Sequence, residues 1–174
     1  MKDMSRIQEK RARLGLEHPL WDRIQIVLIG SYIVVMLFDN VSSLSLGYPN
    51  ILERVSAHPI LLMPAVLLIA FGVYLVKESH AAAFAKREKP KFHDSGVYSL
   101  VRHPMYLGGL MILLGFLFLK FSLIAFSIWA IYFVLCDWMA GYEERDLLRV
   151  LGNEYADYQG RVPKWLPFSK KKKA

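Results

Sequence analysis

Four long apolar runs alternate with polar segments along the chain. We expect membrane spans at about residues 22–39, 59–77, 104–120 and 122–140. Because a crossing helix needs about 20 mostly apolar residues, the first and third runs must recruit flanking residues such as Trp21 and Pro104. Only Lys120, Phe121 and Ser122 separate the apolar cores of the last two runs, which predicts a tight helical hairpin.

Basic residues alternate in number with these runs. Six precede Ile24, where the apolar core of the first run begins, Arg54 alone lies between the first and second runs, and six more lie between Val76 and Tyr106. Lys120 alone lies in the next turn, and the remaining eight of the 22 lysines and arginines follow the fourth run. Since cytoplasmic loops are enriched in lysine and arginine, the pattern predicts four spans with both termini in the cytoplasm.

Composition supports an all-α integral membrane protein with about four transmembrane helices. The 174 residues are 55% hydrophobic, which is too apolar for an ordinary soluble domain, so a soluble helical bundle is disfavoured. We expect one domain over residues 1–174, with cytoplasmic segments at about 78–103 and 141–168. The net charge of +7 lies between and beyond the apolar runs, which favours the bilayer as partner over nucleic acid. Neither an obligatory protein partner nor a metal ion is expected.

A first polar motif, Gly96-Val97-Tyr98-Ser99-Leu100-Val101-Arg102-His103-Pro104-Met105-Tyr106-Leu107-Gly108, leads into the third run. Pro104 suits the first turn of a helix and moves His103 out of helical geometry. The free N–H groups at such a helix start favour a carboxylate or a phosphate. Arg102 is either a second partner for that anion or an anchor among lipid phosphates.

A second polar motif begins with Glu143 and Glu144, on the predicted helical continuation of the fourth run. Adjacent helical residues point about 100° apart, so the two carboxylates are expected to differ in role. One faces the site and the other pairs with Arg102 or a lysine, unless both simply lie on a solvated helix face. Asp137 shares a face with Glu144 and either binds substrate or marks the membrane edge.

The two motifs occur in a recognisable order, ending in Gly152-Asn153-Glu154-Tyr155 and Val162-Pro163-Lys164-Trp165-Leu166-Pro167. Over residues 90–168 the chain resembles the isoprenylcysteine carboxyl methyltransferase family and its phospholipid-methyltransferase relatives. The resemblance implies a small membrane enzyme that uses S-adenosylmethionine. Its expected reaction is methyl transfer to a lipophilic small molecule or lipid at the cytoplasmic interface.

The resemblance also implies roles for individual residues. Cofactor contacts are expected from His93, Tyr98, Arg102, His103, Pro104, Met105, Tyr106, Gly108, Glu144, Tyr155, Tyr158 and Arg161. Catalytic roles are expected for Glu143, Glu144 and Arg102, and substrate contacts for Glu143, Asp137 and Met139. The prenylcysteine enzymes carry an arginine at the position of Met139, so a prenylated-protein carboxylate is disfavoured as substrate.

Several of these residues also have structural interpretations. Tyr98 and Tyr106 suit an aromatic belt at the membrane interface as well as a cofactor contact. His103 could equally be a satisfied polar residue at a helix start. Gly108, Gly109 and Gly115 are expected to permit close helix packing and do not form a dinucleotide fingerprint.

Two alternative functions remain at this point. One is an NADPH-dependent membrane reductase of the sterol-reductase type, and the other is a non-catalytic accessory protein of the same superfamily. The His-Pro-x-Tyr-x-Gly form at residues 103–108 favours the methyltransferases. The accepting atom is open among amine, carboxylate, phosphate, hydroxyl and thiol. Residues 1–20 are predicted to form an interfacial helix, and the lysines at 170–173 are expected to favour an anionic membrane surface.

Overall fold

The computed structural model describes residues 21–38, 59–84, 94–120 and 122–166, and all regular structure within them is helical. The helices are α1 (Trp21–Phe38), α2 (Leu62–Phe84), α3 (Pro104–Leu119), α4 (Leu123–Leu151) and α5 (Asn153–Arg161). Two 3-10 turns, Pro59–Leu61 and Gly96–Ser99, precede α2 and α3. The predicted all-helical fold is confirmed. The predictions for residues 1–20, for His93 and for the lysines at 170–173 lie outside the described residues.

Helices α1 and α3 run in the same direction. Trp21 packs edge-on against Tyr106 at their starts, with ring centroids 5.9 Å apart. Further along, the Tyr32 hydroxyl donates to the Leu113 carbonyl at 2.6 Å, and Lys120 Nζ donates to the Met36 carbonyl at 3.0 Å. The start of α1 therefore lies at the same end of the bundle as the polar motif before α3.

Helices α2 and α3 are antiparallel and approach each other through glycines. A Cβ atom added to Gly72 would lie 2.6 Å from the Gly108 carbonyl, and one added to Gly115 would lie 2.9 Å from the Ala65 carbonyl. The predicted packing role is confirmed for Gly108 and Gly115, where the backbones themselves meet. It is wrong for Gly109, because an added Cβ would meet only the Tyr132 hydroxyl, at an ordinary 3.6 Å.

Helices α3 and α4 form the predicted tight hairpin. Lys120 ends α3, and Ser122 caps α4 by accepting a hydrogen bond from the Ala125 N–H at 3.1 Å. Across the hairpin, the Trp129 indole donates to the Leu110 carbonyl at 2.9 Å. Helix α4 continues for 29 residues, well past the predicted span. It therefore carries the glutamate pair back to the start of α3 without a break.

Much of the bundle surface is apolar. Ile26, Ile60 and Met63 are each at least 70% exposed, a distribution typical of a protein that faces lipid. By length and composition, two described helices can cross a membrane: α2 with its preceding turn, and α4. Helices α1 and α3 are apolar but shorter. Helices α1 and α3 overlap the predicted spans at 22–39 and 104–120, whereas α2 and α4 continue beyond theirs, to Phe84 and Leu151.

Candidate active site

The segment before α3 is held in an irregular conformation. Gly96 has φ of 62°, a left-handed value that a glycine adopts without a steric penalty. The segment ends at His103, which has φ of −124° and ψ of 63° directly before Pro104 at the first helical position. The predicted displacement of His103 from helical geometry is confirmed. Backbone pairing of the Arg102 N–H with the Pro163 carbonyl at 3.0 Å joins this segment to the end of the described chain.

His103 lies between the two glutamates of α4. Its Nε2 is 2.9 Å from Glu144 Oε1, and its Nδ1 is 3.6 Å from Glu143 Oε2. The Tyr106 hydroxyl, one helical turn away, donates to Glu143 Oε1. The His103 and Tyr106 rings are nearly parallel, with centroids 5.9 Å apart. The first and second polar motifs thus form one cluster across the α3–α4 hairpin.

Arg102 completes the ionic part of the cluster. Its Nε lies 3.0 Å from Glu144 Oε1, which confirms the predicted pairing of one glutamate with this arginine. Arg102 also donates to the Gln159 carbonyl at 3.2 Å, while the Gln159 amide donates to Glu144 Oε2 at 3.0 Å. Glu144 therefore binds three neighbours, whereas Glu143 is bound by Tyr106 and His103 and is more exposed.

The charges in the cluster shift each other's pKa values. Burial lowers the pKa of His103, but the hydrogen bonds and charges of Glu143 and Glu144 outweigh it, so this pKa is raised overall. Burial raises the pKa of Glu144, and the hydrogen bond from His103 and the charge of Arg102 outweigh it, so the pKa is lowered. A protonated His103 and an ionised Glu144 are thus stabilised as a pair.

Helix α5 covers the cluster. Gly152, with φ of 56°, reverses the chain between α4 and α5. This brings Tyr155 and Tyr158 into a buried apolar group with Val162, and the Tyr158 hydroxyl donates to the Tyr98 carbonyl at 2.7 Å. Burial raises the pKa of both tyrosines, which keeps their hydroxyls protonated. The two neutral rings therefore help pack α5 against the end of α4.

The segment after α5 folds back onto α4 through Asp137. Lys164 Nζ lies 2.5 Å from Asp137 Oδ1, and the Trp165 indole donates to the same oxygen at 2.8 Å. The Trp165 ring lies 6.0 Å from that of His103. Asp137 therefore holds a covering segment in place, which is an interaction that neither alternative from the sequence included.

Some of the other predicted site residues lie near the cluster, and others lie away from it. Pro104 and Met105 lie in the first turn of α3, and Met139 is buried in the apolar core below the glutamates. Arg161 is exposed and donates to the Asp157 carbonyl of its own helix, so it is not brought to the cluster. Gly108 packs against Gly72, which assigns it to the helix contact.

Sequence reasoning missed Gln159 and Trp165 as members of the cluster. Their contacts join residues 15 and 28 positions apart, which no local pattern indicates. Among the described residues, no group of three histidine, cysteine, aspartate or glutamate side chains could hold a metal ion.

The matched family model places this cluster in a known context. The model described as phospholipid methyltransferase matches residues 60–154, more than half of the chain. The chain belongs to the phospholipid methyltransferase family. The matched range includes Arg102, His103, Tyr106 and both glutamates, so the cluster falls within the family region.

Curated relatives carry two kinds of methyltransferase name. A methanethiol S-methyltransferase from a Pseudomonas species is 34% identical over 62% of this chain and 41% of its own length. Protein-S-isoprenylcysteine O-methyltransferase B of Arabidopsis thaliana is 33% identical over 52% of this chain and 46% of its own. The mouse protein-S-isoprenylcysteine O-methyltransferase is 30% identical over 60% and 41%. The chain spans less than half the length of these relatives, and no solved structure matches it.

Proposed function

We propose that the protein transfers a methyl group from S-adenosylmethionine to a lipophilic small molecule or lipid at the cytoplasmic membrane interface. The observation that carries this proposal is the partly buried cluster of Arg102, His103, Tyr106, Glu143 and Glu144. It joins the two polar motifs across one helical hairpin, within the region that matches the family model. Relatives named as methyltransferases favour this function over an NADPH-dependent reductase or an accessory protein.

The proposed setting is a four-span domain with both termini in the cytoplasm. Helices α1 and α3 run one way and α2 and α4 run the other, as alternating spans require. The described basic residues Arg102, Arg145 and Arg149 then lie at the cluster's end of the bundle, and Lys120 lies at the other. This distribution fits the positive-inside rule, with the cluster facing the cytoplasm. The bilayer and a lipophilic acceptor are the proposed partners.

The cluster residues fit the proposed cofactor. Arg102 Nε is buried and has no directed hydrogen bond, although it lies within ion-pair distance of Glu144. A guanidinium of this kind suits a carboxylate. Glu143 supplies a partly exposed negative charge suited to a sulfonium. When bound, S-adenosylmethionine supplies a methyl group on a positively charged sulfur.

The protein's own residues would then align the reactants and exclude water from the site. Tyr106 and His103 fix the Glu143 carboxylate, and the Trp165 ring lies beside that of His103. Tyr155 and Tyr158 pack in the adjacent apolar group that holds α5 in place. Because the leaving group is already activated, alignment and exclusion of water are expected to supply most of the rate increase. No proton donor is required for the leaving sulfur.

Equilibrium binding to detergent-purified protein tests the cofactor. S-adenosylmethionine is expected to bind, NADPH is not, and a His103→Ala, Tyr106→Ala double variant is expected to lose the binding. Arg149→Ala is the matched control, because that side chain is exposed and pairs only with Asp146 among the described residues. Binding of NADPH instead would make the protein a reductase, and binding of neither would favour the accessory protein.

A further inference from the structure

Trp21, the first residue of α1, has an unusual indole. The side chain is 1% exposed, and its Nε1 has no hydrogen-bond partner. Among the described residues, only one other buried side-chain nitrogen or oxygen lacks a hydrogen bond, and that is Arg102 Nε. Since nearly all buried polar atoms in native proteins are paired, an orphan donor of this kind requires an explanation.

Trp21 and Arg102 both border the proposed active site. The Trp21 ring contacts Tyr106, whose hydroxyl binds Glu143. Trp21 also belongs to the buried apolar cluster that contains Met139 and Ala140, about one helical turn before Glu143. Arg102, by contrast, lies in the ionic network with Glu144. The unpaired Trp21 donor therefore lies on the apolar side of the site, and the ion-paired Arg102 donor lies on its polar side.

We propose that the Trp21 indole N–H binds the methyl-accepting atom of the substrate, and that this atom is sulfur or oxygen. This inference rests on the proposed function and specifies its substrate class. A lipophilic acceptor would reach the site from the apolar side, where Trp21 lies. The cofactor's carboxylate is assigned to Arg102 on the polar side, so Trp21 and Arg102 take different ligands.

The number of lone pairs on the accepting atom decides which atoms fit this role. A thiolate sulfur or a carboxylate oxygen can accept a hydrogen bond with one lone pair and attack with another. An amine nitrogen has a single lone pair, and an N–H donor that held it would block attack. In the step, the new S–C or O–C bond forms as the methyl–sulfonium bond breaks, and the electron pair passes to the sulfonium sulfur. The acceptor is deprotonated beforehand, so no proton moves in this step.

Trp21→Phe tests the role because it removes the N–H and keeps an aromatic ring. Matched eight-carbon probes differ only in the head group: octanethiol, octanoate and octylamine. With the thiol or carboxylate probe, the variant is expected to raise KM about tenfold, the value of one hydrogen bond to a charged group. The affinity for S-adenosylmethionine is expected to stay unchanged.

Trp129→Phe is the control. Its indole already donates to the Leu110 carbonyl within the bundle, so its loss should lower thermal stability and leave KM for the probes unchanged. Trp21→Phe removes a donor with no partner, but Trp21 is fully buried, so the smaller ring is expected to lower thermal stability through lost packing alone. The role of the Trp21 N–H is therefore decided by KM and by the indole resonance, not by stability.

Indole N–H resonances provide a readout that does not depend on turnover. The chain has four tryptophans, and Trp21→Phe identifies the signal of Trp21 by its disappearance. We expect this signal to move downfield with octanethiol or octanoate and to stay in place with octylamine. A shift without methylation of any probe would contradict the proposed function and keep the assignment of Trp21.

Three results would overturn the inference. The first is methylation of a probe with the same KM in wild type and Trp21→Phe. The second is a Trp21 signal that none of the probes moves, or that octylamine moves. The third is a Trp21 signal that moves with S-adenosylmethionine alone, together with weaker cofactor binding by the variant, which would place the N–H on the methyl donor.

Discussion

The two ends of the α3–α4 hairpin are built from different interactions. At the end where α3 begins, Arg102, His103, Glu143 and Glu144 form a partly buried ionic network. At the turn, Ser122 caps α4 through a neutral hydrogen bond, and Lys120 reaches a backbone carbonyl of α1. The hairpin thus has closely spaced opposite charges at one end and an ordinary tight turn at the other.

The difference separates the interactions that stabilise the bundle from the side chains that the bundle positions for chemistry. A buried ion pair gains little net stability, because desolvation offsets the attraction between the charges. Capping and helix packing, in contrast, stabilise the fold without requiring ionised groups. The cost of burying four ionisable side chains at one end is therefore explained better by chemistry than by stability.

The largest expected effect is at the ionic end. Glu143→Gln keeps the size of the side chain and removes its charge, so kcat is expected to fall about 100-fold, the scale of a lost catalytic carboxylate. Cofactor affinity should change far less. Steady-state kinetics and equilibrium binding of the purified variant measure both.

Glu154→Gln is the matched control, since Glu154 is exposed in the first turn of α5. Equal turnover in wild type and Glu143→Gln would remove the proposed role of this carboxylate and weaken the contrast between the two ends.

An intermediate effect is expected along α3. Gly108→Ala would place a Cβ 2.7 Å from the Gly72 carbonyl, and overpacking of this kind costs about 1–3 kcal/mol. Because Gly108 is close to Tyr106, the variant should lose turnover as well as stability, whereas Gly115→Ala, near the turn, should lose mainly stability. Thermal unfolding in detergent and initial rates distinguish these outcomes.

Gly109→Ala serves as the control, because the added methyl group makes only an ordinary contact with Tyr132. If all three variants behaved alike, the close α2–α3 approach would not be the reason for these glycines.

The smallest expected effect is at the turn. Ser122→Ala removes the cap of α4 and should lower the free energy of unfolding by about 1 kcal/mol. Turnover at a temperature where the variant is folded should be unchanged. Ser127→Ala, which removes an exposed hydroxyl bonded within its own helix, should change neither quantity. A large loss of turnover in Ser122→Ala would show that the two ends are coupled.

Sequence patterns predicted the helices better than the contacts between them. The starts of α1 and α3 at Trp21 and Pro104 follow from apolar runs and proline geometry, and the helical extension that carries Glu143 was also expected. The extension of α2 to Phe84 was not, because the polar residues after Val76 end the apolar run without ending the helix.

Within the site, the pairing of Arg102 with Glu144 was among the predicted alternatives, since a charged side chain near a membrane usually pairs with an opposite charge. The position of His103 between both glutamates was not predicted. It depends on the crossing of α3 and α4, which joins residues about 40 positions apart. The binding of Asp137 by Lys164 and Trp165 depends on the chain reversal at Gly152, which no periodicity indicates.

The unbroken course of α4 has a mechanical consequence. At about 1.5 Å per residue, its 29 residues exceed the thickness of a bilayer's hydrocarbon layer. If the lower part of this rod lies in lipid as proposed, a change in bilayer thickness tilts the whole rod and moves both carboxylates with it. The lipid composition of the surrounding membrane would then set the position of these carboxylates without any lipid binding at the site itself.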